Sequence, residues 1–68
     1  MNEKSRLSGP MIRRLMRRHC VTIQMLSDRF RITKKRIREV RVAGVAGFLA
    51  SEWHFMITGK WLDAGRAN

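Results

Sequence analysis

Apolar residues recur at helical spacing in four blocks of this chain, and residues that start or stop helices bound each block. In the first, Ile12, Leu15, Met16 and His19 share one side, while Arg13, Arg14, Arg17 and Arg18 take the other. Pro10 sits where a helix accepts its first residue, with Ser8 or Gly9 as cap, so a short amphipathic helix is predicted over residues 11–19. In the second block, Thr22 is a good N-cap for Ile23–Phe30, and Ile23, Leu26, Ser27 and Phe30 form its inner face. Ser27 is small, which lets a neighbouring helix approach closely. Arg31 and Ile32 make a tight turn with Ile32 as its buried plug. Thr33 then caps a third helix, Lys34–Ala43, with Ile37 and Val40 inward and Gly44 placed to end it.

After Gly44 the pattern changes. Residues 45–49, VAGFL, are apolar with two nearby glycines and read either as a compact loop or as a short strand of a wing. Ser51 can cap a fourth helix over residues 52–58, closed by Gly59. Leu49, Trp53, Met56 and Ile57 form its stripe at i, i+4, i+7 and i+8. The expected fold is all-α, a three- to four-helix bundle, with the short β wing near residues 45–50 left open. Residues 1–9 read as a flexible basic arm, 10–63 as the folded domain, and 64–68 as a frayed tail. Lys4 and Arg6 of the arm can reach phosphate or a minor groove, against the plainer reading of a disordered terminus.

Charge sharpens this picture. The net charge is +10 over 68 residues, and its placement is uneven. Residues 1–20 and residues 21–44 each carry a net +5, whereas residues 45–68 are neutral. Two thirds of the chain therefore suit a polyanion and the last third does not. A chain this short buries little core and often needs a staple or a partner. Its one cysteine, Cys20, excludes an internal disulfide, reads as a small hydrophobe and fits a reducing cytoplasm. Self-association is then the expected source of extra stability. No apolar run approaches a membrane span, and no apolar signal segment opens the sequence, so a cytoplasmic, nucleoid-associated location is expected.

Catalytic chemistry finds little support. The acids Glu3, Asp28, Glu39, Glu52 and Asp63 are scattered, with no pair placed for acid–base work. His19 and Cys20 are adjacent, so on a helix they point to different faces. His54 reads as a surface or interface imidazole. No metal-ligand spacing and no glycine-rich phosphate loop is present. No enzyme activity, metal, cofactor or small-molecule ligand is expected.

The segment TIQMLSDRFRITKKRIREVRV resembles the helix-turn-helix of small bacterial, phage and plasmid repressors. The resemblance rests on Leu26 and small Ser27 in its first helix, Ile32 and Thr33 at the turn, and Ile37 and Val40 in its second helix. It covers about twenty residues, under a third of the chain. The family usually places glycine where this chain has Arg31, which implies a backbone near positive φ at that position. The resemblance implies a recognition helix whose early outward residues, Thr33, Lys34, Lys35 and Arg38, reach base edges in the major groove. Lys and Arg favour guanine O6 and N7, and Thr can bond or touch a thymine methyl. Gln24, Arg13, Arg14, Arg17, Arg18, Arg29, Arg36 and Arg41 are the candidate phosphate contacts, with Arg36 also in reach of bases. Glu39 is expected to orient Lys35 or Arg36, in preference to accepting from a cytosine amino group.

The aromatic residues other than Phe30 lie in the neutral third, at Phe48, Trp53, Phe55 and Trp61. RNA-stacking platforms set aromatics among cations, so RNA binding is not favoured. These residues either complete the core or build a dimer interface. The reading adopted is a mixture: Phe48, Leu49 and Trp53 inward, with Phe55, Met56, Ile57 and Trp61 toward a second copy. The expected function is a homodimeric, sequence-specific transcriptional regulator, a repressor on a palindromic operator in double-stranded DNA. The rival readings are an architectural, excisionase-like DNA-bending factor and an anti-restriction or inhibitor module that binds protein through the aromatic tail.

Overall fold

The computed structural model describes residues 6–62. The expected tail at 64–68, and Lys4 in the arm, lie outside them. In chain order the elements are β1 (Arg6–Leu7), α1 (Gly9–Arg18), α2 (Ile23–Phe30), α3 (Lys34–Ala43), β2 (Val45–Ala46) and α4 (Phe48–Thr58). The fold is thus mainly helical, as expected, and carries one small antiparallel sheet. α1 and α2 pack on α3, and α4 closes the bundle against α1 and β2. Ile12 and Met16 of α1, Leu26 of α2, Ile37 and Val40 of α3, and Ala50, Trp53 and Ile57 of α4 form one core. Ile12, Leu26, Ile37 and Val40 are fully buried, and each such side chain stabilises the fold by about 1.5–3 kcal/mol.

Local chemistry sets the boundaries. Ser8, Thr22 and Thr33 cap α1, α2 and α3, accepting from the amides of Met11 (3.3 Å), Met25 (3.0 Å) and Arg36 (3.1 Å). α1 ends in a Schellman motif: the Val21 amide donates to Met16 O at 2.8 Å and the Cys20 amide to Arg17 O at 3.2 Å. Cys20 takes the left-handed position (φ 57°) that glycine usually fills. Its thiol is exposed, which corrects its expected role as a small hydrophobe. His19 is exposed too, so it leaves the apolar stripe to Ile12, Leu15 and Met16. α2 ends at Arg31, whose φ of 58° and ψ of 40° are the positive-φ turn that its alignment with a glycine implied.

Several expectations need correction. Arg6 and Leu7, expected in a flexible arm, form a strand, and Leu7 is 2% exposed and belongs to the core. β1 pairs with β2 in the register Arg6↔Ala46 and Leu7↔Val45. The strand near residue 45 therefore exists, but its partner is the N-terminal segment. α1 begins earlier than expected, with Gly9 inside the helix, and a Cβ there would lie 2.4 Å from Val42 O and 2.6 Å from Arg41 O. Only glycine lets α1 start against the last turn of α3. Gly44 (φ 81°) ends α3, and a Cβ on it would lie 2.4 Å from Leu7 O.

α4 also starts a turn before the expected Ser51 cap, at Phe48 with Gly47 as its cap residue. The longer helix puts Phe48 and Phe55, seven positions apart, on one outward face. Phe48 is 64% exposed and Leu49 is also exposed, contrary to the inward placement expected for both. Ile57, expected at a partner, is 4% exposed and sits in the core beside Trp53, which is inward as expected.

Candidate nucleic-acid interface

α3 carries five Lys or Arg side chains, more than any other helix, and is held by its inner edge. Ile37 and Val40 anchor it, so Lys34, Lys35 and Arg38 are left exposed on its outer surface. Thr33 is exposed as well, but its Oγ1 is engaged in capping, which leaves its methyl and its hydroxyl proton for any base. Val42 lies seven positions after Lys35 and so shares its direction. It is 77% exposed, an apolar side chain standing among cations. Val42 was not among the residues expected on this face, although its seven-residue spacing from Lys35 is a sufficient signal.

The second component lies where α1, the start of α2 and the end of α3 converge. Arg13, Arg17 and Arg41 line a groove of about 450 Å³ there, with Thr22, Ile23 and Gln24 at the α2 N-terminus. Amides at a helix N-terminus and three guanidinium groups make an environment that favours an anion. Arg13 also fastens the fold, since its Nη1 donates to Arg41 O at the C-terminal end of α3. Arg41 is half-buried, and its Nε is shielded from solvent with no hydrogen-bond partner among the described residues. An unpaired buried donor of this kind costs about 1–3 kcal/mol. Arg38 joins the same surface in a shallow pocket with Arg13, Arg41 and Val42.

The fold does not gather every residue expected to touch phosphate. Arg14 is exposed, two positions from the buried Ile12 and Met16 and so on the far side of α1. Arg18 lines a different pocket near α4. Arg29 is exposed about 140° around α2 from Gln24. Gln24 lines the groove, but its Nε2 donates to Asp28 Oδ1 at 2.8 Å, a local bond that competes with phosphate. Arg36 sits 3.9 Å from Glu39 Oε1, both half-exposed, so Glu39 lies beside Arg36, one of the two partners expected. At that distance and exposure the pair adds little stability.

The aromatic surface is separate. Phe55 and Trp61 are exposed and stack with ring centroids 4.6 Å apart and planes 16° apart, Trp61 remaining 56% exposed. Phe48 shares the outward face with Phe55, and Leu49 and the half-buried Met56 flank it, seven positions apart. No helix among the described residues is long and apolar enough to cross a membrane. No group of three metal-ligating side chains occurs among them. Comparison with known protein families, with characterised proteins and with solved structures finds no match to this chain.

Proposed function

We propose that this chain is a sequence-specific DNA-binding transcriptional regulator. It acts as a repressor that binds a palindromic operator as a homodimer and excludes polymerase by occupancy. It works in the cytoplasm on the nucleoid, by binding rather than catalysis, and needs no cofactor. The observation that carries this reading is the groove beside α3, where Arg13, Arg17, Arg41 and the α2 N-terminus converge. A phosphate seated there would hold α3 against the duplex. Lys34, Lys35 and Arg38 then face base edges, with Val42 free to touch a thymine methyl. The apolar stripe of Phe48, Leu49, Phe55 and Trp61 is the surface offered to a second copy. It lies on the neutral part of a strongly cationic chain, where two copies can approach with least repulsion.

The test is binding to the DNA just upstream of the chain's own gene, titrated at several salt concentrations against a scrambled duplex. Tighter binding to the upstream DNA, with a protected palindrome, is the expected result. Equal and steeply salt-dependent binding to both duplexes would leave only phosphate contacts and favour an architectural role. Absence of binding at moderate salt would refute the reading.

A further inference from the structure

A second basic cluster lies away from the α3 interface. α1 turns about 100° per residue, so Arg13 and Arg17 leave one flank of the helix while Arg18 and His19 leave the other. The first pair belongs to the groove beside α3. The second faces the C-terminal end of α4, where Arg18, His19, His54, Thr58 and Lys60 surround an open pocket of about 330 Å³ with Leu15 as its apolar wall. No carboxylate lines it among the described residues.

Local hydrogen bonds set this arrangement in place. His54 Nδ1 lies 2.6 Å from Lys60 O, and a carbonyl only accepts, so Nδ1 carries the hydrogen. The Thr58 hydroxyl donates to His54 O at 2.8 Å and accepts from the Lys60 amide at 3.0 Å. The chain is thereby folded back over the end of α4, and the His54 ring is held in one tautomer with Nε2 as its remaining nitrogen. A divalent cation is disfavoured here, because two imidazoles would have to hold it against a guanidinium and an ammonium. An anion with several acceptor oxygens suits the same groups: a guanidinium fork, an ammonium, and imidazoles that become donors at both nitrogens when protonated.

We infer that the pocket framed by Arg18, His19, His54 and Lys60 is a second phosphate-binding site, distinct from the α3 interface. Its ligand is a phosphate group, either free or belonging to a segment of nucleic acid not engaged by α3. The inference rests on this pocket alone and holds whether or not α3 reads DNA.

The experiment is an NMR titration of the ¹⁵N-labelled full chain, first with inorganic phosphate and then with a short single-stranded oligonucleotide. The Thr58 and Lys60 amides and the His19 and His54 rings report on the pocket, while the amides of Lys34 to Arg38 report separately on α3. Saturable shifts at the pocket reporters are expected. They should weaken at least about tenfold when Arg18→Ala and Lys60→Ala are combined, since two charged donors to the phosphate are then removed. Both side chains are exposed, so the double variant should keep a dispersed spectrum. Saturation by phosphate alone identifies a small ligand as sufficient, and saturation by the oligonucleotide alone identifies a nucleic-acid segment. Shifts that never saturate with either probe, or that saturate equally in the double variant, would overturn the site.

Discussion

Replacing Gly9 by alanine should destabilise the domain, against the usual gain of up to about 1 kcal/mol for glycine to alanine in a helix. The added Cβ would meet Val42 O at 2.4 Å, Arg41 O at 2.6 Å and Val42 C at 2.7 Å, whereas ordinary van der Waals contact begins near 3.4 Å. All three atoms are backbone of the last turn of α3, so no side-chain rotation relieves the overlap. α1 has to move away by about 1 Å, and overpacking of this kind costs about 1–3 kcal/mol. Gly9 is the first residue of α1, where only part of the helix-interior gain applies, so the net loss is about 1–2 kcal/mol. The whole domain is expected to hold only about 3–10 kcal/mol. For this size, each kcal/mol shifts the melting point by about 4–8 °C, so the variant should melt about 5–15 °C lower. The same displacement pulls Arg13 away from Arg41 O and opens the groove beside α3, so duplex affinity should fall as well. Urea and thermal denaturation followed by far-UV circular dichroism measure the first effect, and a gel-shift titration measures the second. A Gly9→Ala protein that melts at or above the parent temperature would refute the close-packing argument.

Arg31→Gly should stabilise the fold by about 1 kcal/mol, because Arg31 holds a left-handed conformation that costs an L side chain about that much; an unchanged urea midpoint would contradict this. Lys34→Ala and Arg38→Ala should each cost about 1–3 kcal/mol of specific binding in competitive gel shifts, and unchanged operator affinity in both would remove them from the base-reading set. Phe48→Ser combined with Phe55→Ser should leave a folded monomer, since both rings are exposed, and should abolish self-association in sedimentation equilibrium. A double variant that still sediments as a dimer would place the interface elsewhere.

The helices themselves were legible in the sequence because their causes are local. Ser8, Thr22 and Thr33 cap the helices from a few residues away, and Ile12, Met16, Leu26, Ile37 and Val40 recur at the spacing that gives each helix an inner face. The strained turn at Arg31 was anticipated only through the resemblance, in which glycine usually fills that position. The exposed cations of α3 follow from the same periodicity: once Ile37 and Val40 are buried, Lys35 and Arg38 have nowhere to point but outward.

Tertiary contact decided the rest. That Arg6 and Leu7 form a strand depends on Val45 and Ala46, about forty residues away, and no local pattern encodes that pairing. Gly9 looks like a linker residue until α3 is laid against it, and only the distance to Val42 O shows why a side chain is excluded. The start of α4 at Phe48 moved Phe48 and Leu49 outward, and packing against Trp53 drew Ile57 into the core, although the apolar spacing fitted another helix phase equally well. Arg13, Arg17 and Arg41 were visible as charges, but their convergence with the α2 N-terminus depends on how α1 crosses α3. The sequence alone determined which segments are helical and where charge is carried, because propensity, capping and periodicity act within a few residues. Which charges converge, and which apolar groups stay exposed, was set only when distant segments competed for the same small core.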